Sequence, residues 1–376
     1  MPGIYLHIPF CRQACHYCNF HFATSLRYMP DMVDALCKEI TIQKDFFKSE
    51  PINTIYFGGG TPSLLSVADI SLLINKINKH FTLSADAEIT LEANPDDVTK
   101  EKLLGWKGEG INRLSVGVQS FFEEELKWMN RAHNALQAYT CIEEILGAGF
   151  TNFSIDLIYG SPLLTDEGWQ KNVATALSYN IPHLSCYALT VEEKTPLHKQ
   201  IMAAKKVDVD NEKQARQFLL LMHWLKEAGY EHYEVSNFAK PGLRSRHNSS
   251  YWQGDNYLGV GPSAHSFTGQ SRHWNIANNQ QYIKSINNGI LPKEEEQLTD
   301  VQQLNEYIMI AIRTVEGLDL DRVTQKWGTA KKAVILKQII PYVNSKLVKQ
   351  HKEVVQLTDE GMLRADGIAS DLFFSN

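Results

Sequence analysis

The sequence predicts an α/β protein built on a largely parallel sheet. Six short apolar, β-branched runs occupy residues 3–10, 54–60, 88–94, 113–121, 152–160 and 183–190. Segments of helical spacing lie between them, as at 32–40, 67–77 and 138–149. Strands that alternate with helices imply right-handed βαβ units and hence parallel pairing. Near-continuous apolar strands fit a sheet covered on both faces, as an open barrel or a doubly wound sheet. Gly58 to Pro62, Glu92, Gln119 and Asp156 fall at or near the ends of successive runs. In a parallel barrel those ends gather at one mouth, which predicts one shared site.

Beyond the sixth run, residues 211–228 carry a long helical pattern. The Gly-, Ser-, Asn- and aromatic-rich stretch 244–267 reads as too irregular for a helix and too specialised for a linker. The character changes again near 295, where Thr299 with Gln302 three places on forms a capping box ahead of a helix. The expected organisation is a barrel over 1–230, a flanking strand and loop region over 231–294, and a small helical or winged-helix-like domain over 295–376.

A chain of 376 residues exceeds what one core usually holds, in keeping with that division. Lys and Arg total 37 against 43 Asp and Glu, a formal charge of −6, and no basic stripe stands out. That argues against a nucleic-acid partner. No apolar run approaches the roughly 20 residues of a membrane helix. The N-terminus enters a strand-like segment with no basic leader. A cytoplasmic protein with reduced thiols is expected, working in part at the cytoplasmic face of the membrane. Cys37, Cys141 and Cys186 read as small buried hydrophobes.

The other three cysteines, Cys11, Cys15 and Cys18, form a C-x3-C-x2-C cluster just past the first strand. Zinc sites usually need a second half, which His16 and His21 are near enough in sequence to supply. Three thiolates on a four-iron cluster would instead leave one iron open to an outside ligand. GGGTP at 58–62 offers close backbone approach to a ligand after the second strand. Glu92 suits a cationic group, and Arg131 could pair with a carboxylate through a bidentate fork. Asp156, inside an apolar strand, needs a polar partner such as ribose hydroxyls.

The cysteine spacing after a first strand resembles the radical S-adenosylmethionine superfamily. The resemblance implies a partial (β/α)6 barrel and a 4Fe-4S cluster on Cys11, Cys15 and Cys18. It also implies S-adenosylmethionine on the fourth iron, cleaved to a 5′-deoxyadenosyl radical after one-electron reduction. YLHIPFC, GGGTPS, LEANPD, LSVGVQSF, SIDLIYGSP and NFAKPG together resemble the branch that contains the oxygen-independent coproporphyrinogen III oxidases. By that likeness Tyr5, Tyr17, Gly59, Gly60, Thr61, Glu92, Gln119, Arg131 and Asp156 would contact S-adenosylmethionine.

True oxidases of the branch carry a fourth cysteine two places after the third, and a longer segment ahead of the cluster. Here Phe20 holds that place and ten residues precede Cys11. R-H-N-x-x-Y-W at 246–252 also resembles the haem chaperone (HemW-type) group. The group implies haem as cargo, haem-accepting respiratory proteins as partners, peripheral membrane contact and a homodimer, without porphyrinogen decarboxylation. Oxidase-type decarboxylation is the alternative. His247 is the haem candidate with His265 as its rival, since neutral imidazole ligates haem iron. Arg244 and Arg246 are candidates for the propionates.

Overall fold

The computed structural model describes residues 1–375. The barrel runs β1 (Gly3–Ile8), α1 (Met29–Ile42), β2 (Ile52–Gly59), α2 (Val67–His80), β3 (Leu83–Ala93), α3 (Lys100–Gly108) and β4 (Arg113–Gln119). It continues through α4 (Glu123–Met129), α5 (Ala135–Gly147), β5 (Phe153–Tyr159), α6 (Asp166–Ser178) and β6 (His183–Ala188), then α7 (Pro196–Met202) and α8 (Asn211–Glu227). The flanking region holds β7 (Glu231–Glu234), β8 (Asn237–Ala239), α9 (Arg246–Gln253), β9 (Tyr257–Val260), β10 (His265–Phe267), β11 (Ser271–Asn275), α10 (Asn279–Asn287) and β12 (Lys293–Gln297). The C-terminal unit has α11 (Asp300–Ala311), β13 (Leu318–Asp319), α12 (Leu320–Trp327), α13 (Thr329–Asn344), β14 (Val348–His351), β15 (Val354–Leu357), α14 (Asp359–Met362) and α15 (Ala365–Asp371).

The six expected strands pair in parallel and in chain order, β1 to β6, as a partial (β/α)6 barrel. The flanking region extends both edges of this sheet. β8 and β7 add antiparallel beyond β6. β9 pairs parallel to β1 and carries β10, β11 and β12 outward. β12 runs through the expected 294/295 boundary, because its backbone pairs with β11 as far as Gln297.

The sheet is not apolar on both faces. Ile4, Leu6, Ile55, Phe57, Leu91, Leu114, Val116, Ile155, Leu157 and Leu184 form the face packed under the helices. The alternate positions are polar. Thr54, Glu88, Thr90, Arg113, Ser115, Ser154, His183 and Ser185 are buried on the opposite, inner face. Side chains alternate along a strand, so each strand serves both an oily layer and a polar lumen. Ser154 donates to Ser115 across β5 and β4 at 3.0 Å, one of the bonds that satisfy this face.

The stretch 244–267 also departs from expectation, since α9 occupies its middle. Ser245 caps it by accepting from the Asn248 N–H, and Gly254 closes it in the left-handed region (φ 72°). The carboxylate of Glu88, on β3, accepts from the Arg246 and His247 N–H groups at 3.2 and 3.1 Å. Those N–H groups have no partner within the helix. A tertiary contact thus fixes a helix whose periodicity is weak.

The C-terminal unit has its own core, including Leu304, Ile308, Leu320, Val323, Ile335 and Val355, around a three-stranded antiparallel sheet. The capping box of Thr299 and Gln302 opens α11 as the sequence predicts. Among the described residues, no helix is long and apolar enough to cross a membrane.

Candidate functional site

The cysteine loop hangs between two ends that are tied together. Phe10 and Ala23 form a parallel bridge, and the Cys11 N–H donates to Ala23 O at 3.1 Å. The segment after α4 grips the loop's outer side. His16 N–H donates to Met129 O, and Asn130 Nδ2 donates to Ala14 O at 2.7 Å. Ahead of the loop, Gly60 N–H donates to Ile8 O and Thr61 N–H to Phe10 O. A Cβ on Gly60 would stand 2.8 Å from Ile8 O, so only glycine lets the GGGTP turn lie this close.

Thr61 Oγ1 donates to Cys11 Sγ at 3.4 Å, and Arg131 Nη1 to Cys15 Sγ at 3.2 Å. Burial raises the Cys11 thiol to about 11 and raises Cys18 as well, so both are protonated until a metal displaces the proton. His16 and His21 do not complete a zinc site. His16 Nδ1 faces Trp128 O and Lys206 Nζ, and His21 Nε2 bonds Asn279 at 2.7 Å. No three His, Cys, Asp or Glu side chains among the described residues converge on one ion-sized point. Three thiols on one loop fit a cluster in which each thiolate takes its own iron.

Inside the mouth, Glu92 accepts from Tyr56 OH at 2.8 Å and from Gly59 N–H at 3.1 Å. Burial, reinforced by nearby Asp156, lifts Glu92 to about 7 against the pull of those two donors. Burial lifts Asp156 to about 6. Neither carboxylate forms an ion pair within 4 Å among the described residues, whereas an ammonium ligand would satisfy Glu92. Gly59 sits at φ 107° to bring its N–H round, and Gln119, a non-glycine, is held at φ 66° where β4 ends. Arg131 Nη2 donates to Asn94 Oδ1 and Gly117 O, each at 2.8 Å, and its Nη1 also reaches Tyr17 OH at 3.4 Å. It has no carboxylate partner among the described residues, which suits the carboxylate of an amino-acid ligand. Hydrogen bonds thus tie the cysteine loop to Thr61, Arg131 and Tyr17, and the glycine turn to Glu92. The residues present fit the cluster and S-adenosylmethionine.

Tyr56 and Asn94 were not singled out from sequence, yet each holds a site residue. Tyr56 is two places before Gly58 on β2 and so shares its inward face. Asn94 joins Arg131 to Thr61, to which its Nδ2 donates at 3.3 Å. Tyr5 lies on the next strand, with its OH 3.2 Å from His7 Nδ1.

The structure places His247 elsewhere. It is buried against Gly3 and Thr54, at the starts of β1 and β2. That is the opposite end of the strands from the cysteines, about 16 Å away at about 3.3 Å per residue. Its Nδ1 bonds Thr54 Oγ1 and its Nε2 bonds Tyr251 OH, both at 2.8 Å, so neither nitrogen is free for iron. Its ring stacks on Tyr56 with centroids 4.9 Å apart. In this structure His247 braces Tyr56, the tyrosine that donates to Glu92. Arg246 pairs with Asp86, and Arg244 with Glu231 and Glu316, so neither awaits a propionate.

A half-barrel whose first strand runs out into a C-x3-C-x2-C loop over a polar lumen is the architecture of radical S-adenosylmethionine proteins. Residues 5–176 match the Radical SAM superfamily and residues 298–364 the HemN C-terminal domain. The solved structure of coproporphyrinogen III oxidase (HemN) from Escherichia coli, a radical SAM enzyme, superposes with a TM-score of 0.85 at 25% identity, covering 99% of this chain and 90% of that one. Within this class the chain belongs to the heme chaperone HemW family. It is 33% identical to heme chaperone HemW of Bacillus subtilis, over 96% of this chain and 97% of that protein. It is likewise 33% identical to heme chaperone HemW of Mycobacterium tuberculosis, over 98% and 94%.

Proposed function

We propose that this chain binds haem as cargo and delivers it to haem-accepting respiratory proteins, while holding a 4Fe-4S cluster and S-adenosylmethionine in the barrel mouth. The observation that carries the reading is full-length kinship with heme chaperones, at 33% identity over 96% of the chain. Phe20, 68% exposed on the cysteine loop, supports it, because a phenyl ring offers no thiol where an oxidase would carry its fourth cysteine.

When bound, the cluster and S-adenosylmethionine supply one-electron chemistry at the open iron. The chain's residues position it. Cys11, Cys15 and Cys18 would hold three irons, Glu92 would take the amino group and Arg131 the carboxylate. Gly59, Gly60 and Thr61 would give the ligand's methionine part close approach, Gln119 and Asp156 would take the part beyond, and Tyr5 and Tyr17 would close the sides. A cytoplasmic setting, peripheral contact with the membrane that carries the acceptors, a homodimer and the three-part division of the chain belong to the same reading.

Oxidase-type decarboxylation is the second reading, favoured by the HemN likeness. An anaerobic assay with reductant, S-adenosylmethionine and coproporphyrinogen III, run beside a haem titration, separates the two. A Soret shift with no protoporphyrinogen is expected. Protoporphyrinogen formation would overturn the chaperone reading in favour of the oxidase.

A further inference from the structure

A cavity of about 700 Å³ opens between the barrel and the C-terminal unit. Tyr5 and His7 on β1, Phe20 on the cysteine loop, Tyr257 and His265 on the outer strands, and Trp327 at the end of α12 stand around it. Its volume is that of a small-molecule site, and its aromatic walls suit a flat macrocycle.

Three histidines border the cavity, and hydrogen bonding separates them. His7 commits both nitrogens, to Tyr5 OH at 3.2 Å and His21 O at 2.9 Å. His21 commits Nε2 to Asn279. His265 forms no side-chain hydrogen bond among the described residues. Its ring stands beside that of Trp274, with centroids 5.9 Å apart and planes inclined by 27°, and is exposed to the cavity. Burial and the neighbouring Arg272 hold His265 below the usual imidazole range, which keeps it neutral and able to ligate.

The cations on the wall divide in the same way. Arg272 is paired with Glu306 at 2.8 Å. Arg322 and Lys326, one turn apart on α12, have no carboxylate partner among the described residues. They rest instead over the rings of Tyr307 and Trp327 at 4.4 and 4.7 Å. Unpaired cations at a partly buried wall suit an anionic ligand.

We propose that haem sits in this cavity with His265 Nε2 or Nδ1 on its iron and its propionates toward Arg322 and Lys326. The site rests on the haem-carrying reading above; its iron ligand is not the histidine of the R-H-N-x-x-Y-W motif, which lies in the barrel floor, although that motif's Tyr251 borders the same cavity. It places the macrocycle beside Phe20 and makes binding depend on both units of the chain.

Haem titration of the cluster-loaded full chain tests the site. His265→Ala should raise the haem Kd about tenfold or more, equivalent to about 1.4 kcal/mol. It should also change the ligand signature in the visible and electron-paramagnetic spectra, and added imidazole should restore both. Iron-free protoporphyrin should bind His265→Ala as it binds the native chain, because no iron needs the ring. Arg322→Ala with Lys326→Ala should weaken haem and protoporphyrin alike. Unchanged circular dichroism and S-adenosylmethionine affinity would show that the variants are folded. If His265→Ala binds haem with native affinity and spectrum, the site is wrong and the chaperone reading stands. If the native chain gives no Soret shift at all, both fail.

Discussion

Glu92 and Glu39 are two carboxylates buried for different reasons, and each yields a test. Glu92 accepts from two donors, one of them Tyr56 OH, and is the residue proposed above to take the amino group of S-adenosylmethionine. Tyr56→Phe removes that donor but keeps the ring that stacks on His247. A hydrogen bond to a charged group contributes about 1.5–3 kcal/mol, so S-adenosylmethionine affinity of the cluster-loaded protein should fall by about tenfold or more in equilibrium dialysis. Glu39, on α1, is structural. It accepts from Gly261 N–H and Asn275 Nδ2 at 2.7 Å, from Gln43 Nε2 at 2.9 Å and from Tyr282 OH. Burial outweighs these donors and lifts its carboxyl from the ordinary 4.5 to about 7. A raised acid binds its proton more tightly in the folded state, so folding stability falls as pH rises from about 4.5 to about 7, by about 3 kcal/mol. Glu39→Gln cannot ionise. Relative to the native chain it should gain about that amount between pH 5 and 8 in denaturant titrations. A pH-independent difference would mean the four donors, not burial, set the protonation state.

At the scale of elements, α9 shows how a short helix is held by a strand. Its sequence, RHNSSYWQ, mixes two serines and an asparagine, poor interior helix formers, with aromatics. Glu88 compensates by taking two N–H groups of the first turn, with buried Arg113 Nε 4.0 Å behind it. Glu88→Ala would release the helix start and leave the Arg113 charge unpaired in the lumen. Breaking a buried pair in this way costs about 3–5 kcal/mol, and the urea midpoint should move accordingly. His247 would lose its anchor with it, so S-adenosylmethionine affinity should drop in the same variant. A midpoint near native would show that Ser245 alone suffices to start the helix.

At the scale of the whole molecule, the C-terminal unit closes a cavity that neither unit forms alone. Val315 N–H donates to Tyr233 O at 3.1 Å, and Arg244–Glu316 and Arg272–Glu306 cross the junction. The Arg244–Glu316 pair is largely exposed on the Glu316 side and contributes about 0–1 kcal/mol, whereas Arg272–Glu306 is half-buried and Glu234 bridges Thr314; a ligand that spans the junction should hold it shut further. Saturating haem should slow amide exchange in α12 and across β10 and β11, on both sides of the cavity. Slowing confined to the barrel floor around α9 would instead point to the R-H-N-x-x-Y-W segment.

The sequence by itself determined the parallel pairing of six strands, the capping box at Thr299 and the cluster chemistry. Each depends on residues close along the chain: a β-branched run, a Thr with Gln three places on, three thiols within eight positions. It also carried the inward alternation that makes the lumen polar, hidden because runs such as GIYLHIPF look apolar as a whole. Only the tertiary structure decided where the histidines point. His247 and His265 are equally exposed to reading from sequence, one before Asn-Ser and one before Ser-Phe. Thr54 and Tyr251 take both nitrogens of the first, whereas the second stands beside Trp274 with no hydrogen bond to its ring among the described residues. Tyr251 is a near neighbour on the same helix, but Thr54 lies 193 residues from His247 and meets it only once the sheet has brought β2 to α9, and Trp274 faces His265 only because β11 folds back on β10.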